Sequence, residues 1–250
     1  MKFLMFSAFL LLFFQSVWTQ GRVISMSLEG SYPGDGTQIL AKDFISSGTI
    51  KWGRFYPSGL GNLQLRKDFM KNLFKAIEDS KKDTLAINKV YKTLESVFLC
   101  DHKQDTLDIT DPETRLFSIS PFFAGNPKKQ IIYGNLYATS SKEMANWLNY
   151  NKNQAISTQA PQGIYVRWVF LEKEAYVKGE CPLENKTTNA NQTIKTKTTY
   201  DLAFKEGWNA IVYEVDDINK KDIYDSNIER WTIKTTNFLP SKLRWFIVEN

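Results

Sequence analysis

From Arg22 onward, polar and apolar residues exchange places at every second position. Val23, Ser25 and Ser27 alternate with Ile24, Met26 and Leu28, the period of a strand with one covered face. Gly30 to Gly36, with Pro33 among its glycines, supplies a turn, and a second strand fits Thr37 to Phe44. Gly48 to Gly53, Phe55 and Gly59 to Leu65 then read as short strands punctuated by glycine turns. After that the period changes. Leu65, Phe69, Leu73 and Ile77 recur four apart, with Lys67, Asp68, Lys71, Lys75, Glu78 and Asp79 between them, which predicts an amphipathic helix ending near Ser80. A second helical stretch from Asp83 or Thr84 carries Ile87, Val90, Tyr91, Leu94 and Val97 on one side. Together they form a helical insert over 65–98 that lies on a sheet.

Cys100 to Pro112 is polar and acidic, a surface connection. Strands resume at Leu116 to Ser120 and Gln130 to Ala138. Ser140 and Glu143 have capping-box spacing ahead of Met144, Trp147 and Leu148, so a helix starts there, and Asn149 to Gln162 reads as a loop. Ile164 to Leu171 is apolar on both sides and rich in β-branched and aromatic residues, which marks a central strand covered on both faces. Ala175 to Gly179 continues toward Cys181. Pro182 to Thr199, almost without apolar residues, reads as an exposed loop. Tyr200 to Phe204 and Trp208 to Val215 read as a hairpin turning at Gly207. The last strands fit Ile228 to Thr236 and Lys242 to Val248. The expected fold is mainly β (α+β), an antiparallel β-sandwich-like unit or two stacked units with a helical insert. The expected division is a β unit over 21–112 carrying the insert and an antiparallel β unit over 113–250.

The near-unbroken apolar run Phe3 to Val17 behind Lys2 spans about 15 residues, which fits a secretory signal over 1–20 better than the ~20 residues of a spanning helix. Cleavage near Thr19 to Gly21 leaves roughly 230 residues without a further membrane span, enough for a proper core. The expected location is secreted, periplasmic or cell-surface. Lys and Arg number 32 against 27 Asp and Glu, a net charge of +5, but the basic residues are interspersed, and runs such as Lys128-Lys129 and Lys220-Lys221 stop at pairs. Nucleic-acid binding asks for a basic stripe with interleaved aromatics, so nucleic acid is not an expected partner. Cys100 and Cys181 are the only cysteines. In an oxidising compartment they fit either one disulfide or two separately buried thiols.

Val177-Lys-Gly-Glu-Cys181, Tyr200-Asp-Leu-Ala-Phe-Lys-Glu-Gly-Trp-Asn209 and Leu239-Pro-Ser-Lys-Leu-Arg-Trp-Phe246 carry a resemblance. A weaker piece is Ser47-Gly-Thr-Ile50 leading to Gly61-Asn-Leu-Gln-Leu65. These segments resemble a group of exported β-rich proteins of unknown function from Bacteroidetes and some other bacteria, most clearly in the Gly-Trp-Asn of the hairpin. The resemblance implies fold and compartment and brings no catalytic residues. It also bears on Asn185-Lys-Thr187 and Asn191-Gln-Thr193, which are glycosylation acceptors only if the host is eukaryotic.

His102 is the single histidine, so zinc sites built on several imidazoles are excluded, as are all-thiolate sites needing four cysteines. Cys100 and His102 share a face if extended, but parallel side chains are poorly placed for proton transfer, and a disulfide or buried thiol is the simpler reading. Paired carboxylates are the route to a secreted hydrolase: Asp105, Asp108 and Asp111, Glu172 with Glu174, or Glu214 with Asp216. The stretch Asp105 to Glu113 lacks the glycine and spacing of a helix-loop-helix calcium site. Among the tryptophans, Trp52 beside Gly53 and Trp208 beside Gly207 are the candidates for an open indole that stacks on a sugar ring; the others read as core. The helix over 65–80 packs on the sheet rather than on a membrane surface. No cofactor is expected. The leading functional expectation is a non-catalytic binding or surface-assembly protein with a glycan or cell-surface protein as partner, and the alternative is the carboxylate hydrolase.

Overall fold

The computed structural model describes residues 22–42, 48–79, 92–100, 107–119, 121–153, 160–186, 193–218 and 228–249. The apolar leader, His102, Asp105 and Asn191 lie outside these residues. The protein is mainly β, with a large mixed sheet and short helices.

Strands β1 (Arg22–Ser27), β2 (Gln38–Lys42), β3 (Thr49–Phe55) and β4 (Leu60–Leu65) follow the alternation of the sequence, and their antiparallel order is β1-β4-β3-β2. Gly53 sits where backbones approach closely: a Cβ there would collide with the carbonyl oxygen of Asn62, so only glycine fits. From β2 the sheet continues into β8 (Phe122–Asn126) and β9 (Ile131–Thr139), and β9 also pairs with β15 (Arg244–Val248). The end of β15 meets the end of β1. Leu28 forms a parallel bridge with Trp245, and the Glu29 N–H donates to the Trp245 carbonyl at 2.8 Å. The pairing thereby closes into a ring drawn from both halves of the chain. Ile24, Met26, Trp52, Leu63, Phe122 and Trp245 share one buried cluster with Met70 and Leu73 of helix α1 (Asp68–Asp79). Met70 and Leu73 of α1 therefore pack on the core, in keeping with the helical period.

Strand β10 (Gly163–Leu171) carries the second part of the sheet. It pairs along its whole length with β13 (Gly207–Ile218), followed by β14 (Ile228–Thr236), β12 (Thr193–Phe204), β11 (Ala175–Lys186) and β6 (Asp108–Ile109). The other edge of β10 is shared between β9 and β7 (Arg115–Ile119), and β5 (Lys92–Thr93) lies outside β7. Two apolar covers lie against this part. One is built from Leu94 of the short helix α2 (Leu94–Val97), Phe98 and Leu116, which cluster with Val169, Val177, Leu202, Phe204 and Ile211. The other is helix α3 (Lys142–Asn153), whose Met144, Ala145, Trp147 and Leu148 pack with Tyr137, Tyr165, Val215 and Phe246. A disulfide joins Cys100, just after the first cover, to Cys181 of β11, with Cα atoms 5.4 Å apart.

Several local expectations are corrected. Pro182 to Thr199 is not one loop: β11 and β12 pair from Ala175↔Phe204 to Lys186↔Thr193. The threonines are β-branched residues that suit a pleated ladder, and Pro182 is tolerated where β11 has β12 alone as neighbour. The expected hairpin of Tyr200–Phe204 with Trp208–Val215 does not form either. Strand β14 lies between β12 and β13, parallel to β12 and antiparallel to β13. The chain instead makes a corner, which Asn209 holds: its Nδ2 donates to the carbonyls of Lys205 (2.7 Å) and Gly207 (2.9 Å), and its Oδ1 accepts from the Lys205 N–H (2.9 Å). Gly207 takes φ +92° there, a value that favours glycine. The Gly-Trp-Asn motif is thus a corner lock.

The cap of α3 is shifted by one residue. The Ser141 hydroxyl accepts from the Met144 N–H at 3.2 Å, while the Ser140 hydroxyl accepts from the Ile164 N–H at 2.9 Å and ties the helix to β10. The helix also continues through Asn149 to Asn153, where a loop was expected. Strand β8 is an addition. All five of its residues are buried, so it shows no alternation. In the second helical stretch, Lys92–Thr93 is a strand and only Leu94–Val97 is helical; 80–91 lie outside the described residues.

The disulfide separates positions 81 apart in sequence, a loop whose closure constrains the unfolded chain by about 4 kcal/mol. Reduction, or the double change Cys100→Ser with Cys181→Ser, is expected to lower unfolding stability by an amount of that order. Urea denaturation with and without reductant measures it; coincident midpoints would contradict the bridge's stabilising role.

Candidate functional site

Strands β9 and β7 reach the same edge of β10 from different directions. Strand β9 pairs with Tyr165 and Val166, and β7 takes over at Trp168, opposite Ile119. Arg167 falls between them, at a fork in the sheet. A cavity of about 30 Å³ occupies the fork, lined by Pro121, Phe122, Tyr137, Leu148, Arg167 and Trp168 among others. By volume this is room for about two waters.

Arg167 shares its face of β10 with Tyr165, and the cross-strand partner of Tyr165 is Tyr213. The two rings stack, with centroids 4.6 Å apart and planes within 2°. The guanidinium carbon of Arg167 lies 5.4 Å from each centroid, a cation–π arrangement over both rings. Among the described residues no carboxylate lies within salt-bridge reach of this half-buried guanidinium, and nothing accepts a hydrogen bond from it. Trp168, the next residue along β10, points to the opposite face, into the ring core beside Trp245. The indole Nε1 of Trp168 is buried and unpartnered among the described residues, whereas buried donors in native proteins are nearly always satisfied.

The tyrosines around Arg167 are held neutral. Burial raises Tyr137 from its ordinary 10.0 to about 12, with the Arg167 charge pulling the other way. Burial likewise raises Tyr165 and Tyr213, each partly offset by Arg167. None of them is therefore a phenolate that could neutralise the guanidinium at ordinary pH. Tyr137 is also fixed in place: its hydroxyl donates to Asn149 Oδ1 at 3.1 Å, which accepts from Asn135 as well, and Asn149 Nδ2 donates to the Glu249 carbonyl.

The residues singled out from sequence are placed elsewhere. Trp52 is 2% exposed within the ring core, edge-on to Phe122 and Trp208, so it offers no open face to a sugar. Trp208 is half-buried, packs on Trp52 and Phe170, and donates its Nε1–H to the Arg66 carbonyl at 2.9 Å; it joins core to corner. Cys100 is bonded to Cys181, which removes the thiol that a Cys100–His102 pair would need. Asn185 lies in β11, paired with Ile194. Of the candidate acids, Asp105 lies outside the described residues, and five of the others are engaged with cations or hydroxyls. Glu172 pairs with Arg115 (3.4 Å), Asp111 with Lys173 (3.0 Å) and Glu214 with Lys234 (2.9 Å). Asp216 accepts from the Thr232 hydroxyl (2.6 Å) and Asp108 from the Tyr176 hydroxyl (3.2 Å). Among the described residues no three His, Cys, Asp or Glu side chains come together as metal ligands, and no helix is long and apolar enough to cross a membrane.

Sequence reading did not single out Arg167. Its one signal is a lone charge inside an otherwise apolar central strand, a position where a cation needs a reason to be kept. Comparison with protein-family models, with curated proteins and with solved structures finds no match to the chain.

The raised tyrosines fix a pH dependence. A phenol whose folded pKa exceeds its unfolded value contributes stability that is complete below the unfolded value near 10 and is lost as pH rises through the folded value, about 12 for Tyr137. Urea midpoints are therefore expected to be lower at pH 11 than at pH 9, with the loss reduced by Tyr137→Phe. Equal midpoints at the two pH values would contradict the assignment.

Proposed function

We propose that the chain is an exported, non-catalytic binding protein whose ligand is a glycan or a protein, engaged at the fork around Arg167. The observation that carries this reading is an uncompensated guanidinium on a floor of neutral tyrosines beside a cavity. Such a group costs free energy to hold half-buried, and an acceptor group of a ligand relieves that cost by a charge-assisted hydrogen bond. The disulfide supports export, because such bonds persist in oxidising compartments and are rare in reducing ones. The apolar leader Phe3 to Val17 supports it from the sequence side. The hydrolase alternative draws less support, since Glu172, Asp111, Glu214 and Asp216 are each tied to a cation or a hydroxyl.

The test combines cell fractionation with glycan and protein arrays probed by the full chain. The protein is expected outside the cytosol. At least one array feature should be retained, its ligand should be recovered chemically unchanged, and its signal should fall about tenfold or more for Arg167→Met. Recovery in the cytosol, arrays silent throughout, or turnover of the bound ligand would overturn the reading.

A further inference from the structure

We propose that the turn between β8 and β9 is a membrane-docking tip, in which Ile131 and Ile132 enter the interface of an anionic lipid bilayer and Lys128 and Lys129 meet its headgroups. The proposal goes beyond the binding reading above and does not depend on it.

Exposure on both faces is the first argument. Pro127 to Ile132 are all exposed, with Ile131 at 43% and Ile132 at 60%. Consecutive residues of a strand point to opposite faces, and the pairings Asn126↔Ile131 and Gly125↔Ile132 hold both isoleucines in the strand. Gly125 has no side chain to cover its partner, and the Asn126 side chain is engaged by the turn and by Asp35. A partner with one flat surface would therefore cover one isoleucine and leave the other in water. A bilayer interface surrounds the tip and covers both.

The backbone of the turn is also ready to leave water. Pro127 has no N–H. The N–H groups of Lys128 and Lys129 donate to Asn126 Oδ1 at 3.1 and 3.2 Å, and that of Gln130 donates to the Pro127 carbonyl at 3.3 Å. Every N–H of the turn is thus satisfied within it, which removes the donor share of the cost of desolvation. The turn is fixed as well: Asn126 is buried, its Nδ2 donates to the Asp35 carbonyl at 3.0 Å, and Gln130 takes φ +56°. Little conformational freedom is left to lose on docking.

Charge selects the kind of bilayer. Among the described residues neither Lys128 nor Lys129 takes part in an ion pair. The acids of the same end, Asp35 and Glu249, lie beside Asn126 and Gly134 rather than at the turn itself. Two free ammonium groups next to two exposed isoleucines match a surface of anionic headgroups over acyl chains. Ile132 and Ala138, which lines the fork, are about 20 Å apart along β9, so docking at the tip leaves the fork open.

The test is NMR of the full chain labelled at its isoleucine methyls, with bilayer discs of phosphatidylcholine holding about a third phosphatidylglycerol and a nitroxide-bearing lipid. The two signals are assigned by their loss in Ile131→Thr and Ile132→Thr, changes that keep the β-branch. Both are expected to broaden on the discs, while the signal of buried Ile233 in β14 stays sharp. The readout is local to the tip, so it holds whether or not the apolar leader also binds the disc. Either threonine change should weaken the broadening of the other isoleucine, and an unmoved Ile233 signal shows that the variants are folded. At equal lipid, broadening should be at least about fivefold weaker on discs without phosphatidylglycerol and in Lys128→Gln with Lys129→Gln. Sharp signals from both isoleucines, broadening of one alone, or equal broadening on neutral discs would overturn the proposal. An array protein whose capture is lost in the double threonine variant, with both signals sharp on the discs, would assign the tip to a protein instead.

Discussion

A strand that is buried on both faces and paired on both edges has no freedom left, and β10 is in that position. Its Val166 and Trp168 belong to the ring core, its Val169 and Leu171 to the core under Phe98, and its Tyr165 to the core under α3. One edge is taken entirely by β13. Its other edge cannot be served by a single partner, because β9 turns away to pair with β8 and β15 and so complete the ring. Strand β7 therefore finishes the edge, and the residue between the two partners faces a gap. Arg167 lies at this gap as a geometric consequence of one strand serving three cores. A small apolar residue there would be the simpler choice for stability; the cation that occupies the position is held over the Tyr165 and Tyr213 rings.

The same constraint explains the corner at Gly207. For β14 to lie beside β13, the chain leaving β12 must splay away from β13 at once, and two residues separate the strands. Asn209 makes this turn affordable by satisfying the backbone of Lys205 and Gly207, while Trp208 seats against Trp52 and Phe170. The indoles proposed from sequence as sugar platforms are thus structural pins. Trp168 and Trp245 stack at 5.1 Å between β10 and β15, and Trp147 packs near Trp231 beneath α3.

Much of this was legible in the sequence because it is local. Alternation marks β1 and β4, the four-residue period marks α1, and the doubly apolar run Ile164 to Leu171 identifies β10 as central. What was not legible depends on who pairs with whom. Nothing in Tyr200 to Val215 says that Ile228 to Thr236 will insert between its two strands, because that pairing spans distant parts of the chain. Strand β8 is buried throughout and shows no period. The threonines around Asn185 read as solvent-facing loop because polarity was taken as the signal, whereas β-branching was the relevant property. Arg167 was hidden for the opposite reason: a single charge in an apolar run is averaged away by any window.

Strand β10 couples the three buried clusters, so that none opens without the others. Native-state hydrogen exchange resolved by residue tests it directly. The slowest amides of β10, β13, β3 and β9 are expected to share one opening free energy, equal to that of global unfolding. Separate opening of the ring strands, with β10 and β13 still protected, would contradict it.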